Sequence, residues 1–263
     1  MTAVAPLVMG VLNVTPDSFS DGGRFLDRDA AVARGLRLID EGAHIVDVGG
    51  ESTRPGAEPV AETDELARVV PVVRALASRV RVSIDTTKAA VAEAAIEAGA
   101  TLLNDVSASL YPVAASAGVG WVAMHRRGTP KTMQAAPRYH DVVQEVRVFL
   151  AERAALARAA GVQEVWVDPG IGFGKTLEHN LALLCSLRSL VADGVPVVVG
   201  TSRKSFIAAL LGDAPAHDRL EGSLASSVWA MSQGASMVRV HDVAATVQAA
   251  RLLGDDVLAG ASP

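Results

Sequence analysis

The chain has 263 residues, half of them apolar and a fifth charged, with a formal net charge of −5. A chain of this length and apolar content buries a large core without staples, which excludes a disordered protein. The mild acidity argues against nucleic-acid and anionic-membrane partners, which need basic patches. The single cysteine, Cys185, excludes an intramolecular disulfide and a multi-cysteine metal site, and in LALLCSLRSL it reads as apolar filling. No run of about 18 apolar residues is present to span a membrane. The opening MTAVAPLVMG lacks the basic start of a signal peptide, so the expected location is cytoplasmic.

Along the chain, LVMGVLN (7–13) is the first predicted strand, followed by a helix that Asp27 would N-cap, with Val32, Leu36 and Ile39 on one side. The second strand lies in EGAHIVDVGG (41–50), and the helix after it covers 62–77 with Leu66, Val69, Val70 and Val73 inward. VRVSID (80–85) is the third strand, and Thr86 or Thr87 would cap an Ala-rich helix over 88–98. The fourth strand is in EAGATLLNDVS (97–107), and the short 107–117 segment follows as the weakest helix. SAGVGWVAMH (116–125) precedes a long helix at 139–160, and RAAGVQEVWVDPG (158–170) precedes one at 177–191. VADGVPVVVGTS (191–202) leads into helices at 206–211 and 220–233, and SQGASMVRVHDV (232–243) into a last one at 244–253. Glycines 42, 99, 118, 161, 194 and 234 stand where each preceding helix should stop in a left-handed residue. The runs behind them are nearly continuously apolar, as in a parallel sheet covered on both faces.

Eight strand–helix units in about 250 residues predict a (β/α)8 TIM barrel, a single α/β domain over 1–263 with its core at about 7–255. A doubly wound open sheet is the runner-up. It would place a phosphate-binding glycine fingerprint after the first strand, where NVTPDSFSDGG stands instead. A barrel works at the carboxyl ends of its strands. Those ends carry Asn13, Asp47, Asp85, Asn104, Asp105, His125, Asp168, Ser202–Lys204, Arg239 and His241. Packing does not select polar groups at every strand end, so the ring reads as a site for a polar heterocycle plus an anion. GIGFGKT (170–176) is neither a P-loop, because Pro169 stands where that motif needs Gly, nor a dinucleotide loop, because Lys175 takes the last Gly position.

LNVTPDSFSDGG (12–23), GGESTRPGA (49–57), SIDT (83–86), NDVS (104–107), MH-x-x-GTPKTMQ (124–134), DPGIGFGKT (168–176), SRKSFI (202–207) and RVHDV (239–243) occur in this order. Together they closely resemble the dihydropteroate synthase family of folate biosynthesis, over about residues 7–250. The resemblance implies a transferase of alkyl or aryl groups. It would join 6-hydroxymethyl-7,8-dihydropterin diphosphate to p-aminobenzoate, releasing diphosphate and 7,8-dihydropteroate, and would be a sulfonamide target. It implies that Asp168 accepts from the adjacent N–H donors of the pterin, that Asp85 and Asn104 touch the rest of the ring, and that Lys204 meets its oxygen side. Met124 and Phe173 would pack near the two substrates. Asn13 is the family's magnesium position, and Thr53, Arg239 and His241 carry over to the diphosphate, a donor set that suits Mg²⁺. Phe19, Thr53, Arg54, Pro55, Phe173 and Ser205 would form the aminobenzoate pocket, with Ser205 at a helix N-terminus.

No nucleophile–base pair is legible, so catalysis is expected to be electrostatic: Asp85, Asp168, Lys204, Arg239 and His241 would assist ionisation of the C–O bond and capture of the methylene cation by the arylamine. His125, also at a strand end, is a weaker lining candidate, while His44, His140, His179 and His217 read as structural or solvated. After NDVS the family has a Gly-rich stretch where this chain has ASLYPVAASAGVG, which reads as a shortened helix. The alternatives are a methyltetrahydrofolate-type pterin-binding module, against which SRKS and STRPG argue, and a catalytically silent paralogue. The resemblance also implies a homodimer packed through the later helices.

Overall fold

The computed structural model describes residues 6–15, 24–52, 56–129 and 131–254, without the side chains of 24–27 and 254. Its strands are β1 (Leu7–Asn13), β2 (Ile45–Gly49), β3 (Arg81–Asp85), β4 (Leu102–Asp105), β5 (Gly120–Met124), β6 (Val165–Asp168), β7 (Val198–Val199) and β8 (Met237–Val240). All pair in parallel in the order β6-β5-β4-β3-β2-β1-β8-β7, and a parallel bridge between Val167 and Val197 brings β6 and β7 together. The sheet is the predicted eight-stranded barrel. β7 is short because Pro196 has no N–H for the ladder; its carbonyl still accepts from Val167 N at 3.0 Å.

The helices are α1 (Arg24–Asp40), α2 (Glu62–Leu76), α3 (Ala89–Glu97), α4 (Tyr111–Ala117), α5 (Val142–Ala159), α6 (Leu177–Cys185), α7 (Leu187–Val191), α8 (Ser205–Leu210), α9 (Leu220–Ser232) and α10 (Val243–Gly254). All six predicted stop glycines hold positive φ, from 67° at Gly118 to 114° at Gly99. Several expectations need correction. Asp27 lies inside α1 and does not cap it. α5 starts at Val142, where Asp141 accepts from Gln144 N at 3.0 Å, and not at Tyr139. Thr86 accepts from Lys88 N at 3.2 Å, but the residue flanking α3 is Lys88 itself. The 177–191 helix is two helices broken at Ser186, and Cys185 at the end of the first is exposed, so it fills no core.

The weakest helix, α4, forms because Asp105 organises its approach. One carboxylate oxygen accepts from Ser109 N and Leu110 N at 2.7 and 2.6 Å, the other from Ser107 N at 2.8 Å. Buried Asp105 is therefore a structural anchor, and the shortened segment closes into a seven-residue helix.

Strand alternation sorts the core into two compartments. Val8, Leu12, Val46, Val48, Val82 and Ile84 face outward to the helices in the larger cluster. Met9, Ile45, Leu102, Val122, Trp166, Val198 and Met237 pack as a dry plug inside the barrel. Beneath the plug, Arg81 meets Glu164 through two contacts of 2.9 and 2.6 Å, and Trp166 Nε1 donates to Glu164 at 2.7 Å. Above it, toward the carboxyl ends, the inward positions turn polar.

Candidate active site

The polar layer starts where register aligns the strand ends. Asn13 lies beside Gly49, Gly49 beside Asp85, Asp85 beside Asn104, and Met124 beside Asp168. Asp47, Asn104, Met124 and Asp168 are buried, and Asp85 borders a cavity of about 610 Å³ above them. That volume lies in the range of small-molecule sites. Asn13, Phe173, Lys204, Ser205, Arg239 and His241 line the same cavity. The structure thus brings Asn13, Asp85, Asn104, Met124, Asp168, Phe173, Lys204, Ser205, Arg239 and His241 to one end of the barrel. Phe19, Thr53, Arg54 and Pro55 lie outside the described residues.

Arg239 is the hub. Its Nε donates to Asp47 Oδ2 at 2.6 Å and its Nη2 to Asp85 Oδ2 at 2.8 Å. Two carboxyl groups thus share one guanidinium at the floor of the cavity. Burial pushes the Asp85 carboxyl up to about 7, Arg239 opposes that rise, and Asp47 adds to it. Burial also raises Asp168, with the nearby Lys204 ammonium pulling the other way. Asp168 Oδ1 accepts from Gly170 N at 2.7 Å.

Lys204 flanks the start of α8 and donates to Ile171 O at 2.5 Å, with its Nζ 4.7 Å from the centre of the Phe173 ring. Burial lowers its ammonium to about 8, while Asp168 holds it up. Ser205 is the first residue of α8 and is exposed. His241 follows β8 directly, and both its backbone N and its Nδ1 lie 3.1 Å from Ser202 Oγ.

The β6–α6 loop is held from below by two residues that do not reach the cavity. Lys175, 2 % exposed, spans His125 Nδ1, Gly170 O and Phe173 O at 2.9, 2.9 and 3.1 Å. Burial, then the neighbouring Lys175 charge, lowers the His125 imidazole to about 3, so the ring is neutral and its Nδ1 accepts. His125 is therefore structural and is not among the residues that line this cavity. His44 and His179 are structural too: His44 Nδ1 accepts from Val8 N, and His179 completes a capping box with Thr176.

Sequence reasoning missed four participants. Asp47 stood among the strand ends but was given no role. Arg203, with φ of 59°, pairs with Asp242 and donates its backbone N–H to Ser223 Oγ at 2.9 Å. Arg219, which lines the cavity, is held by two carbonyls, Ala214 O at 2.7 Å and Arg203 O at 2.8 Å. Glu51 also lines the cavity and pairs with Lys88, which also pairs with the fully buried Glu65. SRKS and GGES contained the signal for Arg203 and Glu51; nothing local marks Arg219.

A parallel (β/α)8 barrel with a charged ring and an open cavity at the carboxyl ends, above a dry plug, defines a barrel enzyme for a small polar substrate. Within that class the chain belongs to the pterin binding enzyme family, whose model matches residues 9–241. The dihydropteroate synthase of Mycobacterium leprae is 50% identical over 273 residues, covering 98% of this chain and 96% of that protein. Among solved structures, Yersinia pestis dihydropteroate synthase with a sulfonamide drug superposes with a TM-score of 0.90 at 45% identity, covering 97% of this chain and 95% of that one. The Xanthomonas albilineans enzyme with 4-aminobenzoic acid gives 0.89 at 46%, covering 98% and 94%.

Proposed function

We propose that this chain is a single-domain dihydropteroate synthase, joining a 6-hydroxymethyl-7,8-dihydropterin diphosphate to p-aminobenzoate. The observation that carries this reading is the ring of Asp85, Asn104, Asp168, Lys204 and Arg239, assembled beside Phe173 and Ser205 in a chain of this family. In the reaction the methylene C–O bond breaks, and diphosphate leaves with the electron pair. The arylamine nitrogen then gives its lone pair to the methylene carbon and loses a proton. Ionised Asp85 and Asp168 favour the cation, Asp168 accepts from the pterin N–H groups, and Lys204 donates to the ring's oxygen side. Arg239 and His241 stabilise the departing diphosphate, and Ser205 at the start of α8 meets the aminobenzoate carboxylate. The family resemblance assigns Thr53, Arg54, Pro55 and Phe19, which lie outside the described residues, to binding of the same substrate.

Among the described residues no cluster of three or more His, Cys, Asp or Glu could hold a metal ion. A hard cation that takes most of its ligands from diphosphate and water needs one protein oxygen, and Asn13 on the cavity wall fits that need. Asn13 would hold Mg²⁺, which supplies charge neutralisation for the leaving group. The exposed Leu210, Leu211, Leu220 and Trp229 on and beside α8 and α9 support a homodimer through these helices. No described helix is long and apolar enough to cross a membrane, and we place the enzyme in the cytoplasm.

The test is incubation of the pure protein with dihydropterin diphosphate, p-aminobenzoate and Mg²⁺. Dihydropteroate should form, and its absence would overturn the reading in favour of a silent paralogue.

A further inference from the structure

Asp47 lies on β2, inside the barrel, and is 0 % exposed, so it touches no substrate. Its Oδ2 accepts from two groups that the reading above places on the substrate: Arg239 Nε at 2.6 Å and Asn104 Nδ2 at 3.0 Å. Asn104 turns its NH₂ toward the same Asp47 oxygen that takes the Arg239 Nε–H. That fixes the amide's polarity and leaves its carbonyl oxygen as the acceptor for a ligand. The same oxygen pins one edge of the Arg239 guanidinium while Asp85 pins another, which fixes its plane.

Packing does not explain this residue. Asp47 Oδ1 and Ser83 Oγ, on neighbouring strands in register, are both buried without a hydrogen-bond partner among the described residues. Such groups destabilise a fold, and a barrel interior at this level accepts Val or Leu. We propose that Asp47 is a positioning residue for the pterin half of the reaction, setting which way the Asn104 amide faces and how Arg239 is aimed. This rests on the synthase reading.

The test is a charge-swap cycle of wild type, Asp47→Asn, Asn104→Asp and the double variant that carries both substitutions. Measured for each are the KM for the pterin diphosphate, the KM for p-aminobenzoate, kcat and Tm. Asp47→Asn keeps an acceptor but loses the charge, so the pterin KM should rise about tenfold, the size of one weakened charge-assisted bond, with the p-aminobenzoate KM unchanged. Asn104→Asp sets two carboxylates against each other and should cost about 100-fold or more in kcat/KM for the pterin. In the double variant, the NH₂ of the amide now on β2 takes the place of Oδ2 and donates to the carboxylate now on β4, while Arg239 keeps its bond to Asp85. The hydrogen bond returns with reversed polarity, and at least about tenfold of the loss should be recovered. Additive losses, or equal rises in both KM values tracking a lower Tm, would overturn the proposal. Wild type that forms no dihydropteroate would instead refute the synthase reading itself, so the two failures are distinguishable.

Discussion

At the scale of single residues, the site gathers charge in largely buried positions, and this has a pH signature. Asp85 is raised from its ordinary value of 3.8 to about 7, chiefly by burial. A carboxyl raised in the folded state adds stability that is complete below its unfolded value and is lost as pH rises through the folded one. Wild type should therefore lose stability relative to Asp85→Asn between about pH 4 and 7, a widening Tm gap that calorimetry would detect. The folded carboxylate that favours the cation forms as pH passes through about 7, so kcat/KM should rise there in wild type and stay low and flat in the variant. A Tm gap that does not change with pH would refute the assignment. Asp168→Asn is a separate case. The amide oxygen can still accept from Gly170 N, so the loop stays in place, but its NH₂ now faces the ligand's donors. Pterin binding should weaken by about 1.5–3 kcal/mol in a calorimetric titration, at nearly unchanged Tm. Asp168 was legible because an aspartate ending an apolar run before Pro-Gly sits at a strand end. Asp47, one polar residue between valines, read only as one strand end among several.

At the scale of elements, the 168–176 loop between β6 and α6 carries most of the local specificity. Gly170, Gly172 and Gly174 all hold positive φ. A Cβ on Gly170 would stand 1.9 Å from His125 O, and one on Gly174 would stand 2.2 Å from Arg127 O. The backbone of this loop presses on the β5–α5 connection, and Lys175 ties the two together from beneath. Gly170→Ala should therefore destabilise by at least about 2 kcal/mol, visible in urea melts, and should lower kcat because the anchor of Asp168 shifts. A variant with wild-type stability and rate would show that the loop tolerates the displacement. The sequence displayed the three glycines and excluded two phosphate-loop motifs, but not the reason for their spacing. That reason is contact with a loop about 45 residues earlier in the chain. Helix ends were legible where a glycine stops them. They were misread where the cap lies inside the expected helix, as Asp141 does for α5, or where one apolar stripe serves two helices broken at Ser186.

At the scale of the whole molecule, the barrel keeps its chemistry at one end and closes the other. Arg81, Glu164 and Trp166 seal the amino-terminal side, with the dry plug between them and the site. Glu164→Ala leaves the Arg81 guanidinium with its Thr101 contacts alone and removes the acceptor of the Trp166 N–H. Because the pair is partly solvated the cost should be modest, about 1 kcal/mol, or a Tm lower by about 2–4 °C, with kcat/KM for both substrates unchanged. A loss of activity at normal Tm would mean that the two ends are coupled. The sequence by itself determined the repeating unit, the strand ends and the family motifs, because strand alternation, helical periodicity and glycine stops are local properties of a few adjacent residues. Only the tertiary structure decided that Asp47 meets Arg239 across 192 residues, that His125 supports a loop and does not line the site, and that Arg219 reaches the cavity. Those facts depend on closing the sheet, which brings β1 against both β2 and β8 and sets the charges of distant segments against one another at one end of the barrel.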